Sequence, residues 1–176
     1  MDARSDRKLL RELADRQAIT ELIYLYCRGL DRMDEPRAIY HPDAREERGE
    51  GVFEGRAHDM IAAALKALRK RYVATQHFIG NILIELDGDL AWGESYFHAY
   101  HRLPDPPPGA PPRDDGEFVM AGRYLDRFER RDGVWKIAHR RMVNDWNHTR
   151  KVAEGYFERF PGAYRSRRVI ADSRLC

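Results

Sequence analysis

The stretch TQHFIGNILIELDGDLAWGESYFHAYHRL, residues 75–103, decides the fold. It is rich in β-branched and aromatic residues, and Asp87-Gly88-Asp89 near its middle is a hairpin turn signal between two extended runs, Thr75 to Leu86 and Ala91 to Leu103. The same grammar repeats downstream. Glu117 to Arg130 reads as extended, Arg131-Asp132-Gly133 as a second turn, and Val134 to Trp146 as the last long strand. Two long hairpins in succession predict an antiparallel sheet.

Upstream of Tyr72 the period is helical. Leu9, Leu13, Ile19, Leu22, Ile23, Tyr26 and Leu30 mark one stripe on a helix from about Ser5 to Leu30, with Gly29 as its stop. Asp34-Glu35-Pro36 offers an N-cap and a first-turn proline for a short helix from Arg37 to His41, ended by Pro42, which puts Asp31 in the elbow between two helices. Ala44 to Phe53 reads as a short strand or hairpin leading to Gly55. The Ala- and Leu-rich segment from Asp59, with its basic C-terminal end, reads as a further helix. Helices first and hairpins last is an α+β order, and it argues against a parallel βαβ sheet.

Six of the nine prolines fall in Pro104 to Asp115, a long exposed loop joining two strands as flap or spacer. His148 to Cys176 is basic and punctuated by proline and glycine, with scattered aromatics. It is expected to pack as an extension on its own or a neighbouring subunit, so the chain divides into a domain of residues 1–147 and an extension of residues 148–176.

At 176 residues the chain supports one core of ordinary size. Charged residues make up 34%, with 31 Lys and Arg interleaved among 29 Asp and Glu, so no concentrated basic face speaks for nucleic acid. The charged start Met1-Asp-Ala-Arg lacks an apolar signal core and no apolar run reaches the length of a membrane span, which predicts a cytoplasmic protein without a membrane partner. Cys27 and Cys176 make neither a disulfide framework nor a zinc spacing. No phosphate loop, dinucleotide fingerprint or helical His-Glu-x-x-His is present, and His139 and His148 stand apart from any second ligand, so neither a cofactor nor a metal is expected.

Taken one at a time, the candidate polar residues have ordinary explanations: Asp31 as a capping carboxylate, His77 as a strand histidine bonded to a carbonyl, Tyr26 as a core aromatic. Four stretches change that weighting together. They are Ala18-Ile-Thr-Glu-Leu-Ile-Tyr-Leu-Tyr with Asp31 five residues beyond Tyr26, Gly55 before its helix, Thr75-Gln-His-Phe-Ile-Gly-Asn, and Gly122-Arg-Tyr-Leu-Asp-Arg-Phe-Glu-Arg-Arg-Asp-Gly-Val-Trp-Lys-Ile. In order and spacing they resemble the SnoaL-like branch of the nuclear-transport-factor-2-like superfamily, in particular the group with scytalone dehydratase, bile-acid dehydratases and hexachlorocyclohexane dehydrochlorinase. The resemblance runs from about Asp15 to Trp146.

That resemblance implies a cone-shaped α+β barrel, in which N-terminal helices pack in a strongly curved, mainly antiparallel sheet around a pocket. It implies Asp31 and His77 as a working pair, the carboxylate orienting the imidazole that acts as general base. It also implies Tyr26 as proton donor to a leaving group and Arg140 as the arginine that steadies the substrate. Arg140 and Arg141 point to opposite faces of a strand, and a bulge would exchange them. Substrate-binding candidates are Asn81, which shares the His77 face by simple alternation, His98 and Tyr100, which share a face of the next strand, Tyr124 of the aromatic wall or core, and Arg141 should it be the one that faces the pocket. The expected activity is a cofactor-independent elimination, of dehydratase type, on a hydrophobic cyclic molecule such as a steroid or polyketide. An isomerase or polyketide cyclase on the same scaffold, and a non-catalytic binding or assembly protein, stay open beside it. A homodimer or homotrimer is expected from the fold.

Overall fold

The computed structural model describes residues 3–104 and 115–151. The proline-rich loop lies almost wholly outside the described residues, and so does the C-terminal extension beyond Lys151.

Helix α1 spans Ala3–Arg32 and is followed by a 3-10 turn, Arg37–Ile39, in place of the short helix expected there. Strands β1 (Tyr40–Glu47) and β2 (Glu54–Arg56) form a small antiparallel hairpin, and α2 (Ala57–Arg71) follows directly. Then come the long strands β3 (Ala74–Asp87), β4 (Leu90–Arg102), β5 (Glu117–Arg131) and β6 (Val134–Arg150). They make one six-stranded sheet of order β2-β1-β6-β5-β4-β3, antiparallel throughout except for the parallel pair β1 and β6. The class is α+β, as read from the order of elements. The sheet is open, with β2 and β3 as its edges, so the word barrel overstates its closure. Among the described residues no helix is long and apolar enough to cross a membrane.

Helix α1 buries Ile19, Ile23, Tyr26, Cys27 and Leu30 against the sheet, and α2 adds Ile61 and Leu65. Each such aliphatic side chain contributes roughly 1.5–3 kcal/mol of transfer free energy. Burial begins only at Ile19. Leu9 and Leu13, on the same periodic stripe, are about half exposed, because that end of the helix is not covered by the sheet.

Gly29 does not stop α1. It lies inside the helix because the chain folds back against it: a Cβ there would meet the Asp34 carbonyl at 2.7 Å and the Pro36 ring at 2.9 Å. The helix ends four residues later, where Met33 takes a left-handed φ of 56°. Asp31 is therefore in the last helical turn and not in an elbow between helices.

Two bulges decide which side chains face the concave side. Between Ile79 and Ile82, two residues of β3 oppose one of β4, so His77 and Ile79 face inward and the inward run resumes at Ile82 and Ile84. In β6, Ala138 is the extra residue between the pairs Phe128 with Ile137 and Arg127 with His139, which moves the inward set from Trp135 and Ile137 to Arg140 and Met142.

Candidate functional site

The concave face of the sheet, α1 and α2 enclose a cavity of about 270 Å³ whose lining includes Tyr26, Arg48, His77, His101 and Tyr124. Its remaining wall is largely apolar, with Leu30, Phe97, Phe118, Met120 and Met142 among the residues. A larger groove of about 780 Å³ lies on the other side of His77, between the C-terminal turns of α1 and the free edge of β3. Asp31 lines that groove, and His77 stands in the wall common to both.

The carboxylate of Asp31 grips His77 twice. The ring Nδ1–H donates to Oδ1 over 2.7 Å, and the backbone N–H donates to Oδ2 over 2.9 Å. A carboxylate only accepts, so the contact places a proton on Nδ1, and in the neutral ring the lone pair is then on Nε2. The second hydrogen bond ties the carboxylate to the edge of β3 and fixes the ring orientation.

Tyr26, buried at the cavity floor, accepts a hydrogen bond of 3.0 Å on its hydroxyl from Arg48 Nη2. Arg48 in turn donates from Nε to Glu46 over 2.7 Å. Burial raises the Tyr26 pKa above its ordinary value, with Arg48 opposing, so the hydroxyl keeps its proton and can donate. Tyr124 stacks on Phe97 and meets Tyr26 edge to face, 5.4 Å between ring centres.

Arg140 does face inward but reaches no substrate space. Its side chain is 0% exposed, it forms a two-pronged pair with Asp126 at 2.7 Å on each arm, and its guanidinium lies 4.1 and 4.3 Å from the ring centres of Tyr26 and Tyr124. It braces the two tyrosines from behind, and the expected substrate contact of Arg140 is corrected accordingly. Arg141 points to the outer face and pairs with Glu47 at 2.8 Å. Asn81 is exposed, because the β3 bulge takes it off the His77 face. His98 and Tyr100 do share a face, but the outer one. His98 packs on Trp146, and the Tyr100 hydroxyl donates to Glu117 over 3.1 Å beside the outer groove.

Three basic cavity residues, His101, Arg48 and Arg71, were missed in the sequence. His101 lies on the inward face of β4 in phase with Ala91, Phe97 and Ala99, so alternation alone marks it. Its Nδ1 pairs with the Phe118 carbonyl over 3.3 Å and its ring meets that of His77 edge to face at 5.6 Å. Arg48 follows the end of β1 in an irregular segment, where no periodicity points inward.

Burial, aided by the neighbouring His77, holds the His101 pKa down to about 4. A depressed histidine favours proton uptake by the unfolded chain, so its contribution to stability is complete above about pH 6.5 and is lost as pH falls toward 4. The loss is on the order of 3 kcal/mol at full effect. Denaturant midpoints measured from pH 7 to 4 should fall more steeply for wild type than for His101→Phe. Parallel curves would show that this ring is not the titrating group.

The sequence profile of the SnoaL-like domain family matches residues 11–141. Among solved structures, a type-2 hexachlorocyclohexane dehydrochlorinase is 26% identical, with 80% of this chain and 91% of that one aligned and a TM-score of 0.66. A protein assigned as a scytalone dehydratase from Novosphingobium aromaticivorans is 21% identical over 81% of this chain and 91% of its own, TM-score 0.66. A type-3 hexachlorocyclohexane dehydrochlorinase from Novosphingobium barchaimii is 23% identical over 80% and 92%, TM-score 0.66. No curated protein sequence matches the chain.

Proposed function

This chain belongs to the SnoaL-like domain family, and from that premise we propose that it is a cofactor-independent lyase that eliminates water, or a comparable leaving group, from a hydrophobic cyclic molecule such as a steroid or polyketide. The observation that carries this reading is the 2.7 Å contact between Asp31 and the Nδ1 of a histidine that also lines an aromatic-walled cavity. His77 Nε2 takes a proton from carbon, and Asp31 stabilises the imidazolium that forms. The C–H electrons become the new double bond as the C–O bond breaks, and Tyr26 gives its proton to the departing hydroxyl. Water is lost, and the site is restored when one proton passes back from His77 to Tyr26. Arg48 supports Tyr26 in this step, because a hydroxyl that accepts from a guanidinium is a better donor in its turn.

An isomerase or cyclase would use the same proton abstraction, and the products tell them apart. Incubation with a panel of hydroxylated steroids and polyketide-type alcohols should give products lighter by one water, read by mass spectrometry. Products of unchanged mass would shift the reading to isomerisation. No turnover across the panel would favour a binding role, against which the paired Asp31 and His77 and the unfilled cavity weigh.

A homodimer or homotrimer built on the outer sheet face belongs to the same reading. Phe78, Leu83, Trp92, Tyr96 and Trp146 are each at least 42% exposed there, and large apolar side chains gathered on one face suit an interface. Light scattering should return two or three times the chain mass of 20.6 kDa, and Trp92→Glu should lower it to one. A wild-type mass of one chain at micromolar concentration would refute the assembly.

A further inference from the structure

The cavity's charges are distributed unevenly. Among the described residues no acidic one lines it, while two guanidiniums do, Arg48 and Arg71. Arg48 is neutralised where it stands, since Glu46, fully buried, takes its Nε at 2.7 Å. Arg71 has a different setting. It closes the last turn of α2, it is exposed, and its guanidinium rests 5.4 Å from the Tyr72 ring centre, a contact that orients the group and leaves its charge in place. The exposed members of the lining, Arg71 and Ala67, mark the mouth, and the buried ones, Tyr26 and Tyr124, mark the floor. A molecule that enters ring first to reach His77 therefore leaves its outer end beside a cation that no carboxylate among the described residues pairs.

We propose that the substrate carries an anionic group, a carboxylate or a phosphate ester, on the end remote from the reacting ring, and that Arg71 at the cavity mouth selects it. This rests on the reading of the cavity as the substrate site and adds the charge class of the substrate. A guanidinium suits both anions, because its N–H fork meets two oxygens at once. The apolar wall takes the ring, and the anion keeps its remaining solvation at the mouth, so its desolvation cost is small.

Three ligands of one ring system separate the cases: 2-naphthoate, 2-naphthyl phosphate and 2-naphthamide, the last matching the carboxylate in shape without its charge. Titrated by calorimetry into the full chain, the anions should bind about five- to twenty-fold more tightly than the amide, the value of one charge-assisted contact at a partly exposed site. Arg71→Gln should bring that ratio to about one and leave amide affinity unchanged, which also reports an intact cavity. Lys70→Gln, one residue away and off the lining, should keep the ratio. The stronger of the two anions tells a carboxylate site from a phosphate site. Equal binding of all three to wild type, a ratio that survives Arg71→Gln, or an equal loss in Lys70→Gln overturns the proposal and leaves the cavity reading standing. If none of the three binds, both fail.

Discussion

Replacing His77 with alanine is expected to lower turnover of a dehydrated substrate by about three orders of magnitude, within the 10²–10⁴ range that a positioned general base contributes. The size of the effect follows from the geometry. His77 is held by Asp31 at ring and backbone, 2.7 and 2.9 Å, and lines the cavity, whereas the other cavity imidazole, His101, has no carboxylate among its described partners to stabilise its charged form. Asp31→Asn tests a different part of the device. The amide keeps the shape of the carboxylate but can present an N–H to Nδ1, which favours the tautomer with its proton on the wrong nitrogen and removes the charge that stabilises the imidazolium. A loss of about 10² or more in kcat with KM little changed is expected, because neither effect concerns ground-state binding. Steady-state kinetics on wild type and both variants decide the matter. Turnover within tenfold of wild type in both would remove the pair from the mechanism.

How much of this could be read without coordinates depended on whether a local rule was left undisturbed. The long hairpins were legible because Asp87-Gly88-Asp89 and Arg131-Asp132-Gly133 are turn signals between strongly β-forming runs, and Gly88 and Gly133 do take positive φ. Asp31 and His77 were expected as a pair only through the family resemblance, since no local rule joins two residues 46 positions apart. Wherever side-chain direction had to be counted along a strand through a bulge, alternation failed. Asn81 was lost to the extra residue in β3, and the inward direction of Arg140 follows from the extra residue at Ala138. His98 and Tyr100 went wrong for another reason: their shared face was read correctly, but the apolar Phe97 and Ala99 occupy the core side, and His101 continues theirs. Arg48 had no period to betray it, since it lies just past the end of β1 and contacts Glu46, two residues before it, and Tyr26, 22 residues away.

The correction to Arg140 leads to the largest expected effect on stability. Asp126 and Arg140 form an ion pair whose side chains are 1% and 0% exposed, with both carboxylate oxygens engaged at 2.7 Å. Nη1 of Arg140 has no hydrogen-bond acceptor among the described residues, and the guanidinium lies against the rings of Tyr26 and Tyr124. Asp126→Ala leaves the guanidinium buried with the rings alone, and an uncompensated buried charge costs about 3–5 kcal/mol. For a domain of this length that is a fall in Tm of about 10 °C or more, readable by circular dichroism. Removing both charges, as Arg140→Met with Asp126→Leu, should restore most of the loss, because the desolvation cost disappears together with the attraction. If the single and double variants melt together, the pair is not what sets stability at this point of the core. The two variants also separate stability from positioning. The double variant keeps a folded sheet but loses the cation that spans Tyr26 and Tyr124, so its turnover should stay low while its Tm recovers, marking Arg140 as a residue that acts on the reaction only through the tyrosines it holds.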